Sequence, residues 1–490
     1  MESHVSFRHS GSADEVAQLV KPGSLIAIPL FPPPALARAL GRRVQAGLTD
    51  LRIRQTTALT DPGWFEASLG DPTLTVDAET FVGPAARVAV TAGSTHFLPN
   101  LFSRTAKALE ERGDESQRPD VTLINVSPPD TDGWCNLGPH AWNKRSLVTR
   151  SRMVLAEVDS SIRRMNGNCR VHVDEIDAAC FREIRPVEKA VLQQAIDAIS
   201  NHQERARIAE QIAEWQETGD IEIQRLGPIL RQLPAMTLAD VREFVGQPVM
   251  GDEDRAIAGY LSSVVGNGSI LQIGAGSPSN LVVSAGAFDG KQDLGINTEM
   301  ACRGLADLHF KGVVTNSGNS PAGVSVAAAW TGLSDREIAL IEDRPDFRLE
   351  PLEELLEITR RAAIPNLVSI NSAIAVDLTG QINAETIGEG VIWDGYGGQP
   401  EGHISAFLSQ GGVAVTVLRS TARNGTVSKI VPALPSGAAV TIPRFFADVV
   451  ITEYGVAHLL GRNHRDRAIS LAAIAHPDFK EALSTAAQAF

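Results

Sequence analysis

Short apolar runs recur along the whole chain, and stretches with helical spacing separate them. Runs in which almost every residue is apolar are typical of strands buried on both faces of a parallel sheet. They lie at residues 24–29, 121–126, 153–158, 171–173, 270–273, 293–296, 413–418 and 449–452. Helical spacing is found at 14–20, 34–46 and 468–489, and the last stretch is broken near Pro477. Strands and helices that alternate in this way predict an α/β fold with parallel sheets.

The middle of the chain has a different character. Residues 186–216 are rich in Ala, Gln, Glu, Arg and Ile at helical spacing, and the strand-like runs resume only near residue 268. A chain of 490 residues also exceeds the size of one ordinary core. We therefore expect two α/β domains, at 1–185 and 259–490, joined by a mostly helical connector or insertion at 186–258. This segment is interpreted either as a structural linker or as a partner-binding arm.

Charge and cysteine content exclude several classes of function. The net charge is −14, and no basic stripe of the kind that binds a phosphate backbone is visible, which argues against a nucleic-acid partner. The four cysteines form no C-x-x-C pair, so neither a disulfide framework nor a zinc site is expected. We see no signal peptide and no apolar run of the roughly 18 residues that a membrane helix needs. A soluble, cytoplasmic protein is expected.

Common catalytic motifs are missing, but a glycine-rich loop follows one apolar run. There is no G-x-S-x-G elbow, no G-x-x-x-x-G-K-[ST] loop and no H-E-x-x-H pair. Residues 271–280 read LQIGAGSPSN, with Ser277 as a candidate N-cap and Pro278 at a candidate first helical position. Such a strand-to-helix turn presents free N–H groups to an anion. A tight structural turn remains the alternative.

Two further segments carry candidate chemistry. Glu299 follows the apolar run at 293–296, which would place its carboxylate at the carboxyl end of the sheet, where ligands of open α/β folds bind. A positioned carboxylate can act as a covalent nucleophile, although a charge at a helix N-terminus explains the same pattern. Residues 395–400 read GYGGQP, and the Gly pair is either a source of accessible N–H donors or a flexible turn.

Taken together and in order, these segments resemble the acetyl-CoA hydrolase/transferase family over nearly the whole chain. The first half matches at VSPPD (126–130), at AEV (156–158) and at His172-Val173 followed by Ile176-Asp177. The second half matches at LQIGAG (271–276), GINTEM (295–300), VTNS (314–317), INSA (370–373) and VDLTGQ (376–381). It also matches at GGQ (397–399), at 420–427, at VITEYGVA (450–457) and at AHPDF (475–479).

The resemblance implies a fold, a reaction and a site. It implies two similar open α/β CoA-transferase-type domains, a site in the cleft mostly on the second domain, and a homodimer. It implies coenzyme A, presented as acyl-CoA, and small carboxylic acids as substrates, with no metal. Glu299 would be the nucleophile, Asn371 would orient or hydrogen-bond the reacting carboxylate, and Gly398 would donate its N–H to an oxyanion. The implied contacts to CoA are Gly274, Ala275, Gly276, Ser277, Pro278, Gly397, Gln399 and Arg423.

The chain departs from the family pattern at several places. The first strand leads into residues 28–34, IPLFPPP, instead of a Gly-rich loop, and Arg423 stands where lysine is common. Asn297 replaces a frequent histidine, Pro400-Glu401-Gly402-His403 replaces an Asp-Phe segment, and the segment around 186–250 is longer. These departures bear on the substrate more than on the reaction class. A thioester hydrolase on the same scaffold and a non-catalytic CoA-binding protein are the two alternatives to a CoA-transferase.

Overall fold

A computed structural model describes residues 6–56, 61–79, 82, 84–105, 118–182, 250–317, 323–333 and 335–490. Most of the predicted connector, residues 186–249, lies outside these ranges. Among the described residues, no helix is long and apolar enough to cross a membrane.

The first part of the chain forms a sheet from widely separated segments. The strands of this part of the chain are β1 (Ser10–Gly11), β2 (Leu25–Ile28), β3 (Leu51–Thr56), β4 (Leu74–Glu79), β5 (Thr95–Leu98), β6 (Val121–Val126), β7 (Trp134–Asn136), β8 (Met153–Val158), β9 (Asn166–Gly167), β10 (Arg170–His172) and β11 (Ala178–Phe181). Its α-helices are α1 (Ala13–Ala17), α2 (Pro34–Gln45), α3 (Trp64–Ser68), α4 (Pro84–Ala92) and α5 (Lys144–Arg150). Eight strands pair in the order β1-β11-β8-β6-β2-β3-β4-β5, and all seven pairings are parallel.

The second part builds a nine-stranded sheet. The strands of the second part, not all of which join this sheet, are β12 (Ile270–Ile273), β13 (Gly295–Cys302), β14 (Ser325–Gly332), β15 (Phe347–Leu349), β16 (Leu367–Ser372), β17 (Ala375–Asp377), β18 (Ile382–Asn383), β19 (Thr386–Ile387), β20 (Val391–Ile392), β21 (Val413–Val417), β22 (Thr421–Ala422), β23 (Val427–Ser428), β24 (Ile430–Val431), β25 (Val449–Thr452) and β26 (Gly455–His458). The strand order of the nine-stranded sheet is β26-β25-β21-β16-β12-β13-β14-β15-β9, so β9 of the first part forms one edge strand. Every pairing in it is parallel except that of β25 with β26.

Helices flank this second sheet. They are α6 (Asp252–Val264), α7 (Leu305–Phe310), α8 (Asp335–Ile341), α9 (Leu352–Leu355), α10 (Ile358–Ala362), α11 (Gln399–Leu408), α12 (His464–Ala473) and α13 (Pro477–Ala487). The predicted α/β class with parallel sheets is confirmed. The boundary expected between residues 258 and 259 falls inside α6, which is continuous across it. The break expected near Pro477 is the start of α13, where Pro477 occupies the first turn.

Two of the apolar runs fold differently from the prediction. The run at 293–296 is the start of a longer strand, β13, so Glu299 lies within a strand and not directly after one. Pairing with β14 continues past Glu299, since Met300 is still in register with Ala329. The run at 171–173 does not join the parallel sheet, because β10 pairs antiparallel with β7 in a separate two-stranded ribbon.

Candidate active site

Glu299 is buried at the centre of the second sheet. Its side chain is 4% exposed, and the Gln272 amide on the neighbouring strand β12 donates to both of its oxygens, at 3.1 and 3.0 Å. Burial raises the pKa of Glu299 above its ordinary value, while the Arg361 guanidinium and the Gln272 amide act in the opposite direction. A carboxylate held in this way is desolvated and fixed in direction, as a nucleophile must be.

A polar network extends from Gln272 across the sheet. Asn371 on β16 donates to Gln272 Oε1 at 2.9 Å and to Ser369 Oγ at 2.9 Å. Ser369 Oγ in turn lies 2.5 Å from Gln272 Oε1. The register explains this arrangement, because Gln272 stands opposite Ser369 and side chains of paired residues share a face. Asn371 is therefore linked to the Glu299 carboxylate through Gln272, and the direct hydrogen bond that was one of its two expected roles is not found between them.

His403 closes the network on the side of helix α11. Its Nδ1 lies 3.2 Å from Ser369 Oγ, and its Nε2 lies 3.0 Å from Thr416 Oγ1. Burial lowers the pKa of His403 to about 3, so the ring is neutral at physiological pH. A neutral ring between two hydroxyl groups supports the network without adding charge beside Glu299.

Helix α11 begins directly at the carboxylate. A Cβ added at Gly398, its N-cap, would lie 2.8 Å from Glu299 Oε1, and one added at Gly402 would lie 2.5 Å from Gln272 Oε1. A side chain at either position would force Glu299 or Gln272 to move from the arrangement seen here. The positive end of the helix dipole thus faces the Glu299 carboxyl group, which favours its ionised form.

Two more charged side chains are buried beside Glu299. Arg361 on α10 is 1% exposed; its Nη2 donates to the Asn297 carbonyl at 3.1 Å, and its Nε and Nη1 have no hydrogen-bond partner among the described residues. Burial lowers the pKa of Arg361, and the charges of Glu299 and Glu401 raise it. Burial also raises the pKa of Glu401 to about 7. Arg361 therefore serves as the shared counter-charge of two buried carboxylates.

Glu401 also joins the two parts of the chain. Its carboxylate accepts hydrogen bonds from the backbone N–H groups of Phe102, at 3.1 Å, and Ser103, at 2.7 Å. These residues begin a short 3₁₀ helix, Phe102–Arg104, in the first part. The first part is thereby held in the first turn of α11, three residues after Gly398.

The glycine-rich loop closes the opposite side of the site, but it does not lead into an α-helix. A Cβ at Gly274 would lie 2.4 Å from Asn371 Oδ1, so the loop packs directly on the network. Ser277 is not an N-cap and Pro278 is not a first helical residue, since a three-residue 3₁₀ helix starts only at Ser279. Ser279 Oγ instead lies 2.9 Å from the Gly274 carbonyl oxygen and 2.7 Å from that of Gly276, which folds the loop back on itself. Ala275, Gly276 and Ser277 are exposed on its surface.

The remaining predicted contacts lie at different depths. Gly397 has a positive φ of 55°, and a Cβ there would meet nothing within 4 Å. Gln399 is 2% exposed, and both polar atoms of its side chain lack partners among the described residues. Arg423 is exposed at the turn between β22 and β23, where no hydrogen bond of its side chain to the glycine-rich loop is found within the described part of the chain. The structure thus brings Glu299, Gly398, Asn371 and Gly274 together and leaves Arg423 on the surface.

Comparison with known proteins identifies the family. Residues 6–206 match the profile of the acetyl-CoA hydrolase/transferase N-terminal domain, and residues 334–487 match that of the C-terminal domain. A succinyl-CoA:cyclohexane-1-carboxylate CoA transferase from Geobacter metallireducens is 31% identical over 477 residues, which cover 97% of this chain and 94% of the relative. The chain belongs to the acetyl-CoA hydrolase/transferase family. It is an enzyme of the CoA-transferase type, and the resemblance seen in its motifs is confirmed.

Other proteins with similar sequences or folds agree with this assignment. A 4-hydroxybutyrate coenzyme A transferase from Clostridium kluyveri is 30% identical over 407 residues, covering 82% of this chain and 80% of the relative. The crystal structure of RipA from Yersinia pestis superposes with a TM-score of 0.76 at 25% identity, covering 98% of this chain and 97% of RipA. A 4-hydroxybutyrate CoA-transferase structure from Porphyromonas gingivalis, at 23% identity and a TM-score of 0.66 over 98% of each chain, supports the fold.

Sequence reasoning missed five residues of the site. Each is a polar or charged side chain that is almost fully buried, a combination that carries a cost unless the group is used or paired. Polar residues inside apolar strands, as in LQI and VSIN, were the available signal for two of them. The missed residues are Gln272, Arg361, Ser369, Glu401 and His403.

Proposed function

We propose that this enzyme transfers coenzyme A from an acyl-CoA to a small carboxylic acid, with Glu299 as the covalent carrier. The observation that carries the proposal is a buried carboxylate oriented by an amide through both oxygens and placed at the N-terminus of α11. The curated relatives, named as CoA-transferases, make acyl-CoA and carboxylic acids the expected substrates.

In the first half-reaction, a Glu299 oxygen attacks the thioester carbonyl and CoA thiolate leaves. The product is a mixed anhydride between Glu299 and the acyl group. The thiolate then attacks the glutamyl carbonyl, the acid departs as its carboxylate, and glutamyl-CoA remains on the enzyme. In the second half-reaction, an acceptor carboxylate reverses these steps and leaves as its CoA ester, and no net proton is taken up.

The surrounding residues each have a role in this sequence. The backbone N–H of Gly398 would donate to the oxyanion that forms at each carbonyl, a contribution that is typically about 3 kcal/mol. Gln272 fixes the attacking oxygen, and the charge of Arg361 lowers the pKa of Glu299 against the larger effect of burial. The loop at Gly274–Pro278, together with Gly397, Gln399 and Arg423, is proposed to contact CoA, whose binding can supply free energy to position the thioester.

The burial of Glu299 supports transfer over hydrolysis. Water must reach glutamyl-CoA for net hydrolysis, and Glu299 is 4% exposed. A homodimer remains a prediction, and light scattering of the purified protein would test it.

The proposal is tested by the fate of acyl-CoA with and without an acceptor. With the purified enzyme, propionyl-CoA and labelled acetate, we expect labelled acetyl-CoA, parallel double-reciprocal plots, and little loss of thioester when acetate is omitted. Rapid acetate-independent release of free CoA would instead identify a hydrolase. CoA binding with no exchange across a range of acyl-CoAs would favour a binding protein.

A further inference from the structure

The turn that carries Gly398 has little rigidity of its own. Gly397 precedes it with a φ of 55°, and a Cβ at Gly397 would meet nothing within 4 Å. Because glycine samples a wide range of backbone angles, a Gly pair does not by itself hold an N–H group in one direction. A donor to an oxyanion is effective only when it is fixed in advance. The direction of the Gly398 N–H therefore depends on contacts from outside the Gly pair.

Tyr396 ties this turn to the first part of the chain. Its hydroxyl donates a hydrogen bond to the Asn100 carbonyl at 2.7 Å, and its ring meets that of Phe97 edge to face at 6.1 Å. Burial raises the pKa of Tyr396, so the hydroxyl stays protonated and acts as the donor. Tyr396 also belongs to the turn itself, because its carbonyl accepts a hydrogen bond from the Gln399 N–H at 3.2 Å. This one residue thus links Asn100 to the turn that contains Gly398.

Asn100 is in turn anchored to the first sheet. It lies just after β5, and its side-chain amide donates to Glu79 Oε1 at 3.1 Å. Glu79 ends β4 and accepts two hydrogen bonds from Arg54 of β3, at 3.1 and 2.5 Å. Both side chains of this ion pair are more than nine-tenths buried. The carbonyl that accepts from Tyr396 therefore belongs to a segment that is fixed to β3 and β4.

A second contact holds the chain on the other side of Gly398. The carboxylate of Glu401 accepts hydrogen bonds from the backbone N–H groups of Phe102 and Ser103, at 3.1 and 2.7 Å. Tyr396 precedes Gly398 by two residues, and Glu401 follows it by three. One short segment of the first part therefore contacts the second part immediately before and immediately after the glycine.

We infer that Tyr396 is a positioning residue, and that residues 100–103 of the first part set the direction of the Gly398 N–H toward the reacting carbonyl at Glu299. The inference rests on the proposed function, because it presupposes that an oxyanion forms beside Glu299. A Cβ at Gly398 would lie 2.8 Å from Glu299 Oε1, so a small shift of the turn changes the distance between the N–H donor and the nucleophile. A misplacement of about 1 Å can lower a rate by about 100-fold.

The test compares the steady-state kcat and KM of Tyr396→Phe with those of the wild type, using propionyl-CoA and acetate. The substitution removes one hydroxyl and keeps the ring against Phe97. We expect kcat to fall about tenfold, the scale of one neutral hydrogen bond, with little change in the melting temperature. The KM for each substrate should stay the same, because the lost interaction acts in the transition state. Tyr396→Leu, which removes the ring as well, should lower kcat by about 100-fold.

Tyr260→Phe is the matched control. It removes the same hydroxyl from α6, where the side chain is 38% exposed, and it should leave kcat unchanged. The inference is overturned by a folded Tyr396→Phe enzyme that has the kcat of the wild type, by one in which only KM changes, or by a loss of kcat that follows a lowered melting temperature. Each of these results leaves the proposed function standing. A wild-type enzyme that transfers no CoA from any donor would overturn both.

Discussion

Replacing Arg361 by methionine should impair the enzyme by removing the counter-charge of Glu299. The methionine retains much of the apolar stem and deletes the charge. Arg361 acts on Glu299 through its charge and not through a hydrogen bond. Opposite charges shift each other's pKa when they lie about 4 to 6 Å apart, and at an effective dielectric constant of about 20 Coulomb's law then gives about 3 to 4 kcal/mol. If this stabilisation keeps Glu299 ionised, its loss should lower kcat at neutral pH by about 100-fold.

The same substitution should also shift the pH dependence of kcat in a defined direction. Burial already raises the pKa of Glu299, and loss of the guanidinium raises it further. Because the ionised form is the nucleophile, the acidic limb of the kcat profile should move to higher pH in Arg361→Met, and activity should partly recover under alkaline conditions. Arg361→Lys keeps a charge but not the planar geometry. Its kcat, and the pH of its acidic limb, should lie between those of Arg361→Met and the wild type.

Arg360 provides the control for this experiment. It is adjacent in α10, its side chain is 66% exposed, and it lies 3.7 Å from Glu354 on the surface. Arg360→Met should change neither kcat nor its pH profile, because exposed ion pairs contribute little. The reasoning is refuted if a folded Arg361→Met enzyme has the kcat and the acidic limb of the wild type. Thermal unfolding of each variant would separate loss of charge from loss of fold.

Three further substitutions test other parts of the site. Gly398→Ala places a methyl group 2.8 Å from Glu299 Oε1 and should lower kcat by at least about 100-fold in a steady-state assay. Gly259→Ala is the control, because a methyl group at this helical position meets open space, and it should leave kcat unchanged. Gln272→Leu should remove the amide that orients both carboxylate oxygens and lower kcat by about 10- to 100-fold with little change in the KM for CoA esters; a normal kcat would exclude the orienting role. Burial raises the pKa of Glu401 to about 7, so the folded state binds this proton more tightly than the unfolded state, and the free energy of unfolding should fall as pH rises from about 4.5 to about 7. In Glu401→Gln this loss, up to about 3 kcal/mol in urea titrations, should disappear, and an unchanged pH slope would contradict the assignment.

Much of the sheet could be predicted from local sequence. The strands Val121–Val126, Met153–Val158, Ile270–Ile273 and Val449–Thr452 begin and end at the predicted residues, because strands buried on both faces are continuous apolar runs. The extent of β13 could not be predicted, since pairing with β14 carries it through the polar residues Asn297 and Glu299. The helix predicted after Ser277 does not form, because the Ser279 hydroxyl donates hydrogen bonds to the loop carbonyls and folds the loop back on itself.

The partners of Glu299 depend on tertiary register. Gln272 and Ser369 are 97 residues apart in sequence, and only the pairing of β12 with β16 places them side by side. Likewise, Phe102 and Ser103 of the first part of the chain reach Glu401 through hydrogen bonds between residues about 300 positions apart in sequence. Motifs could single out Glu299 as the candidate nucleophile together with the nearby glycines, whereas the buried groups that contact Glu299 required the structure.

The central claim is that Glu299 carries CoA as a thioester. The most direct measurement is peptide mass spectrometry after treatment with acyl-CoA followed by borohydride, which reduces a glutamyl thioester. We expect the peptide containing Glu299 to lose the mass that corresponds to reduction of its carboxyl group to an alcohol, and we expect no such change in Glu299→Ala or without acyl-CoA. An unmodified Glu299 peptide from enzyme that is actively transferring CoA, or reduction at a different residue, would contradict the claim.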